Sequence, residues 1–78
     1  MKNYHVHVTF KEGVFDSAGD AATKKLAELG HEGVERVSVG KFVRLTVADD
    51  VTEDQVRTMC DELLVNPIIE DFTISEEA

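Results

Sequence analysis

Two histidines near the beginning of the chain form the most metal-like pattern in the sequence. His5 and His7 are two residues apart in a run of alternating side chains, so on an extended strand both rings lie on one face. Histidine is a common metal ligand, but no Cys-x-x-Cys pair or third ligand stands nearby, and His31 falls in a separate loop. We therefore predict no metal site and assign both histidines to an exposed or interface strand face.

The other reactive side chains form no catalytic set. Cys60 lies in the middle of a helical apolar stripe, where a thiol packs, and not at a helix N-terminus, where its pKa would fall. Glu70 and Asp71 are adjacent carboxylates, but neighbouring residues on a strand point to opposite faces. The glycines are scattered singly, so no phosphate-binding loop is present. The sequence therefore predicts no catalytic residue and no cofactor-binding residue.

Length and charge narrow the class of protein. Seventy-eight residues make one small domain, residues 1–78, whose core is marginal without a staple or a partner. The net charge of -8 argues against nucleic acid and anionic membranes as partners. A single cysteine allows no internal disulfide, and we find neither a secretory signal nor a membrane-spanning run. We expect a cytoplasmic protein.

The elements that must position these residues begin with a strand and a helix. Residues 3–10 alternate, with Tyr4 to Phe10 apolar at the even positions, which predicts a strand with one buried face. Asp16 or Ser17 can cap a helix that ends before Gly30. Its apolar positions, which include several alanines, predict a buried side close to a sheet.

The central stretch, residues 34–47, has two interpretations. Its apolar residues share the odd positions and hence one face of a strand: Val37, Val39, Val43, Leu45 and Val47. A hairpin needs a three-residue loop, Gly40 to Phe42, which pairs Val39 with Val43. The alternative is one long strand bent at Gly40, which would reach roughly 45 Å at about 3.3 Å per residue. Such a strand overhangs a chain of this size and favours a second copy as its cover.

The last third of the chain predicts a helix and a strand. Thr52 and Gln55 form a capping box before an apolar stripe. The stripe consists of Val56, Met59, Cys60, Leu63 and Leu64. Asn66-Pro67 ends the helix, residues 68–74 form a strand, and residues 75–78 form a frayed tail. Together the elements predict an α+β fold, ferredoxin-like, in which two helices cover one face of an antiparallel sheet that dimerisation completes.

Three stretches, taken in order, resemble one known family, PurS, the small subunit of phosphoribosylformylglycinamidine synthase. The resemblance spans essentially the whole chain, and its final stretch is the most specific. The stretches are Lys11-Glu12-Gly13-Val14 followed by Asp16, then Val39-Gly40-Lys41-Phe42, then Leu63-Leu64-Val65-Asn66-Pro67-Ile68-Ile69-Glu70-Asp71-Phe72.

The resemblance implies a non-catalytic subunit in purine biosynthesis. It implies two protein partners, a glutaminase that releases ammonia and a large synthetase that uses ATP and Mg²⁺, together with a second copy of this chain. It implies that this subunit bridges the two, supports ammonia transfer and binds no cofactor itself. The candidate partner contacts are the non-core residues of the motifs: Lys11, Glu12, Gly40, Lys41, Asn66, Glu70 and Asp71. The rival hypothesis is a stand-alone regulatory module that binds a small molecule, similar to ACT domains.

Overall fold

Strand β1, Lys2–Phe10, is the centre of the fold. The computed structural model describes residues 1–77 and places β1 between β2, Lys41–Val47, and β3, Glu70–Glu76, both antiparallel to it. Tyr4, Val6 and Val8 on its even face are at most 3% exposed. The predicted α+β class is confirmed as a three-stranded antiparallel sheet with two helices.

The register gives the sheet one apolar face and one polar face. Residues directly opposite each other in antiparallel strands point to the same side. Val6 lies opposite Val43 on β2 and Ile74 on β3, and all three belong to the core or pack against it. His5 lies opposite Arg44 and Ser75, so the other face is polar. The sequence predicts this alternation, with apolar residues at even positions on β1 and at odd positions on β2.

Helix α2, Glu53–Met59, covers the apolar face. The predicted capping box is present: the backbone N–H of Gln55 donates to the Thr52 hydroxyl, and the Thr52 N–H donates to the Gln55 side chain at 2.8 Å. Val56 and Cys60 are fully buried against β1. Val65 completes this core at the end of the helical segment.

A π-helical turn, Cys60–Leu64, follows α2 and changes which side chains reach the core. The N–H of Val65 donates to the carbonyl of Cys60 at 2.9 Å, a bond that spans five residues. This wider turn leaves Leu64 partly buried, whereas Leu63 is 83% exposed and Met59 37% exposed. The predicted stripe is therefore wrong for Leu63, because it assumes a regular α-helix to the end. Met59, in the regular part of α2, is also more exposed than the stripe predicts.

Helix α1, Ser17–Glu28, is capped by Asp16 and followed by Gly30 in the left-handed conformation. The N–H groups of Gly30 and His31 donate to carbonyls of the last turn, which is a Schellman ending. The predicted packing of α1 on the sheet is not formed within residues 1–77. No α1 residue belongs to the core cluster, and Leu29 is 62% exposed. The helix packs instead on residues 37–39, before β2 begins.

The central stretch does not form the hairpin of the first interpretation. Residues 41–47 form one strand, and its first residue, Lys41, pairs with Val8 on β1. Residues 35–40 belong to no strand and run beside α1, since the N–H groups of Val37 and Val39 both donate to α1 or its cap. The stretch therefore continues in one direction out of the sheet, and the described chain is 50 Å long.

The final strand is shifted by two residues from its prediction. Residues 68 and 69 belong to a turn, while Ser75 and Glu76 extend β3 instead of forming a frayed tail. The N–H of Glu77 also donates to the carbonyl of Asn3 at 2.8 Å. The last residue of the predicted tail, Ala78, lies outside the described residues.

Candidate functional site

The candidate contact residues meet at one end of the sheet. β1 leaves the sheet at this end, and both β2 and β3 enter it there, because the strands are antiparallel. Lys41 pairs with Val8, and Glu70 pairs with Phe10. The register thereby brings residues up to 60 positions apart in sequence to this one end of the sheet: Lys11, Glu12, Gly40, Lys41, Asn66, Glu70 and Asp71.

Two ion pairs join the strands at this end. The Lys11 ammonium contacts the carboxylate of Asp71, and the backbone N–H of Lys11 donates to the carbonyl of Ile69 at 2.8 Å. The Lys41 ammonium lies 3.9 Å from the carboxylate of Glu70. The lysines and Asp71 are exposed to solvent by 40% or more of their side chains, so these pairs orient the strand ends but stabilise them weakly.

Gly40 has a steric reason to be glycine. A Cβ added at this position would overlap the carbonyl oxygen of Val8 on the neighbouring strand. The backbone of Gly40 is not in the left-handed region, so the requirement is space for the close approach and not conformational freedom. The predicted bend residue thus lies directly before β2, where the chain enters the sheet in close contact with β1.

Asn66 and Glu70 hold the turn between α2 and β3. The N–H of Asn66 donates to the Glu70 carboxylate at 2.7 Å, and the N–H of Ile68 donates to the Asn66 side chain at 3.1 Å. The carbonyl of Asn66 accepts from both Ile69 and Glu70. Both residues therefore shape a rigid turn, whatever else they contact. Glu12 is exposed in the turn after β1.

Two side chains, those of the N-cap Asp16 and of Thr23 in α1, fasten the residues before β2. The sequence predicts Asp16 as a cap but not its contact with these residues. The Asp16 carboxylate accepts from Gly19 at 2.8 Å and from Val39 at 2.7 Å. The Thr23 hydroxyl accepts from Val37 at 2.8 Å and donates to the carbonyl of Gly19. We call this set the Asp16 clasp. The N–H of Val39 and then that of Gly19 hold the pKa of Asp16 below its usual value.

An open cleft of about 640 Å³ lies between the turn after β1 and residues 35–39. Its walls combine apolar side chains, Phe10 and Phe15, with the charged Lys11 and Arg36. Phe15 is 73% exposed, a high value for a large aromatic side chain. Because the cleft is open and its walls are partly charged, it is less suited to enclosing a small substrate than a mostly apolar pocket would be.

The polar sheet face carries a second cluster around Phe42. Its ring lies 5.1 Å from that of His5 and 5.0 Å from that of His7. Glu77 accepts from Arg44 at 2.8 Å and lies 3.0 Å from Nε2 of His5, and these two contacts lower the pKa of Glu77. The shared face of the two histidines is as predicted. Within residues 1–77 no three histidine, cysteine, aspartate or glutamate side chains are placed to hold a metal ion.

The remaining titratable features concern packing and the chain terminus. Burial raises the pKa of the Cys60 thiol, with a smaller contribution from Asp61, which agrees with its prediction as a packed side chain. The N-terminal ammonium contacts Asp49 at 2.7 Å and lowers the pKa of that carboxyl.

Among the described residues, no helix has the length and apolar character required to cross a bilayer.

Comparison with known families gives one consistent match. Residues 3–78 match the family described as PurS, phosphoribosylformylglycinamidine (FGAM) synthase. The PurS subunit of this synthase from Synechocystis is 41% identical over 75 residues, which cover 90% of this chain and 75% of the relative. The corresponding subunit from Bacillus subtilis is 34% identical and covers 99% of this chain and 94% of its own length.

Solved structures of the same family are similar to this chain throughout. Bacillus subtilis PurS in its C2 crystal form superimposes with a TM-score of 0.89 at 35% identity and covers 100% of both chains. A chain from the structure of PurLQS of Thermotoga maritima gives a TM-score of 0.84 at 28% identity, covering 97% of this chain and 96% of its own.

Proposed function

The chain belongs to the PurS family of FGAM synthase, a glutamine-dependent ligase of purine biosynthesis, and from this premise we propose that it bridges the catalytic subunits of that enzyme. One partner is a glutaminase that releases ammonia from glutamine. The other is a large synthetase that uses ATP and Mg²⁺ to activate its ribonucleotide substrate. This subunit works in the cytoplasm, binds no cofactor of its own, and keeps the two active sites joined for ammonia transfer.

The likeness to a chain of the PurLQS structure carries this proposal. That structure is of PurLQS from Thermotoga maritima, and the similarity covers nearly the whole of this chain. The end of the sheet supports the proposal, because the fold gathers the motif residues there from three separate stretches of the chain. We propose that this surface, above all the exposed Glu12 and the Lys11–Asp71 pair, contacts a catalytic subunit.

The shape of the chain supports a second copy as a further partner. The radius of gyration is 15.8 Å, whereas a compact chain of 78 residues has about 11.5 Å. The excess length comes from residues 15–40, which include α1 and the segments on either side of it and which we call the arm. The arm exposes Phe15 and Leu29 and carries no core residue. A second copy that covers the arm would bury this apolar surface and complete the fold as a dimer.

The test compares two nitrogen sources in the assembled enzyme. We expect removal of this chain to abolish synthesis driven by glutamine, whereas synthesis driven by an ammonium salt continues at a substantial fraction of its original rate. The reason is that free ammonia is mostly protonated near neutral pH and loses its nucleophilic lone pair. Holding the two sites together keeps neutral ammonia at a high effective concentration. Both rates are measured with and without this chain, which on its own should show no turnover.

Two results would contradict the bridging role. An equal loss of the glutamine-driven and ammonium-driven rates would indicate general activation of the synthetase. Tight binding of a small metabolite to the isolated chain, with both rates responding to it, would favour the regulatory-module hypothesis instead.

A further inference from the structure

The two oxygens of the Asp16 carboxylate have different partners. Oδ1 accepts the backbone N–H of Gly19 at 2.8 Å, which is the ordinary cap of a helix N-terminus. Oδ2 accepts the N–H of Val39, 23 residues further along the chain, at 2.7 Å. This second bond is no part of the cap. It joins the N-terminus of α1 to the segment that enters β2, so it ties the two ends of the arm together at its base.

Two further contacts hold α1 against the same segment. The Thr23 hydroxyl accepts from the N–H of Val37 at 2.8 Å and donates to the carbonyl of Gly19. Gly19 is buried, and a Cβ added there would overlap the carbonyl oxygen of Val37. Glycine is unfavourable inside a helix, so this position serves the close approach of the segment and not the stability of the helix.

The tied segment is in turn fixed to the sheet. Gly40 follows Val39 directly and lies so close to the carbonyl of Val8 on β1 that no Cβ fits between them. A continuous series of contacts therefore leads from Asp16 through Val39 to the sheet and sets the direction of α1. The other connection to the sheet, residues 11–15, is a turn with one glycine in the left-handed conformation.

We propose that Asp16 is a positioning residue for self-association, whose bond to Val39 holds the arm in the direction in which a second copy binds it. This rests on the proposed role of the arm in self-association. A two-fold dimer uses the same surface on both copies, so an arm that reaches a partner must leave each sheet at the same angle. An arm held at that angle before binding loses less conformational entropy when the copies meet.

The test separates the two functions of Asp16 by substitution in the full chain. Asp16→Asn and Asp16→Ser both retain a good capping residue, but neither offers two acceptor oxygens. We expect α1 to stay helical by circular dichroism, while self-association weakens about five- to tenfold in sedimentation experiments. Asp20→Asn removes the same charge from an exposed pair with Lys24 in the same helix and should change self-association less than about twofold.

Rates distinguish positioning from direct contact with the partner. A variant that lowers only the fraction of arms in the binding direction weakens affinity by that fraction and acts on the association rate. Loss of a direct interface contact acts mainly on the dissociation rate. Subunit exchange between two labelled samples measures the dissociation rate, which should change less than about twofold in both Asp16 variants.

Thr23→Val gives an independent variant, because it removes the bond to Val37 and leaves the cap at Asp16 intact. Valine and threonine have similar shapes and helix propensities, so α1 should form as before. We expect self-association to weaken about threefold, again with little change in the dissociation rate. This variant decides the question if an Asp16 variant loses its helix.

The results also separate this inference from the proposal on which it rests. If the unchanged chain self-associates and the folded variants associate equally well, the positioning role is wrong and self-association stands. A dissociation rate that rises by the full loss in affinity would place Asp16 in the interface itself and would also overturn the positioning role. A monomer in the unchanged protein would overturn self-association through the arm and this inference together.

Discussion

Both the sequence and the structure indicate that position 40 requires glycine, but for different reasons. The sequence suggests a bend, and the structure shows a backbone contact with the Val8 carbonyl that leaves no room for a Cβ. Gly40→Ala should lower the free energy of unfolding by about 1–3 kcal/mol, because a carbonyl group of a central strand cannot move as a side chain can. Urea unfolding measures the change. Ser38→Ala, two residues earlier and exposed, should change stability by less than about 0.5 kcal/mol.

We expect the hydrogen bond between Val39 and Asp16 in the Asp16 clasp to depend on pH. Two amides of the same protein supply the test and its control. The pKa of Asp16 is lowered in the folded state, so its stabilising effect is complete above the unfolded pKa of about 3.9 and is lost as the pH falls through the folded value. Hydrogen exchange of the Val39 amide, which donates to Asp16, should therefore lose protection on acidification. The Val37 amide donates to the Thr23 hydroxyl, which does not titrate, and serves as the reference.

The ratio of the two protection factors, corrected for intrinsic exchange, is the quantity to follow between pH 5 and pH 2. Asp16→Ala should remove the pH dependence of this ratio and leave the Val39 amide poorly protected at every pH. A ratio that stays constant in the unchanged protein would show that the carboxylate does not hold Val39 in solution.

The sequence predicts only part of what the structure shows about the seven candidate contacts. Their motif positions predict that they matter, but not which of them the fold itself requires. Asn66 and Glu70 form one turn through contacts between a side chain and a backbone four residues away. Such a bond depends on the exact path of the chain after Pro67. For the same reason the sequence gives no sign that Lys11 meets Asp71, since strand register alone brings them together.

At the scale of elements, the N-terminus of α2 was fully predictable because its stabilising contacts are local. Thr52→Ala removes the hydroxyl that accepts from Gln55 and should lower the free energy of unfolding by about 1 kcal/mol. Thr58→Ala is the matched change, since Thr58 is exposed in the same helix and donates only to the Asp54 carbonyl. It should alter stability by less than about 0.5 kcal/mol in urea unfolding. Equal effects of the two changes would mean that the cap contributes nothing specific.

The C-terminal end of the same helical segment was not predictable from periodicity. A stripe calculated at 3.6 residues per turn places both Leu63 and Leu64 in the core, whereas the π-helical turn keeps Leu64 there, adds Val65 and leaves Leu63 exposed. The insertion leaves no clear mark in the sequence, because leucine at 63 and leucine at 64 satisfy either register. The error is informative, since it is this turn that leaves Leu63 exposed.

At the scale of the whole molecule, the odd–even pattern of residues 34–47 indicated a strand too long for one small subunit. The structure gives half of that strand to the sheet and directs the rest along α1, away from the core. Sequence reasoning placed α1 on the sheet because alanine-rich helices often pack there. Only the three-dimensional path after Phe10 shows that the helix lies beyond the end of β1, where residues 1–77 offer no apolar sheet face to cover it.

The exposed arm therefore predicts that the isolated chain associates with itself. We expect a dimer or a larger even-numbered assembly at micromolar concentration in sedimentation experiments. Phe15→Gln together with Leu29→Gln should weaken this association by about a hundredfold, because burial of two such side chains contributes roughly 1.5 kcal/mol or more each. Leu63→Gln together with Ile68→Gln changes two side chains of at least equal exposure outside the arm and should leave self-association unaltered. A monomer in the unchanged protein, or equal effects of the two pairs, would show that the arm is not the surface through which copies meet.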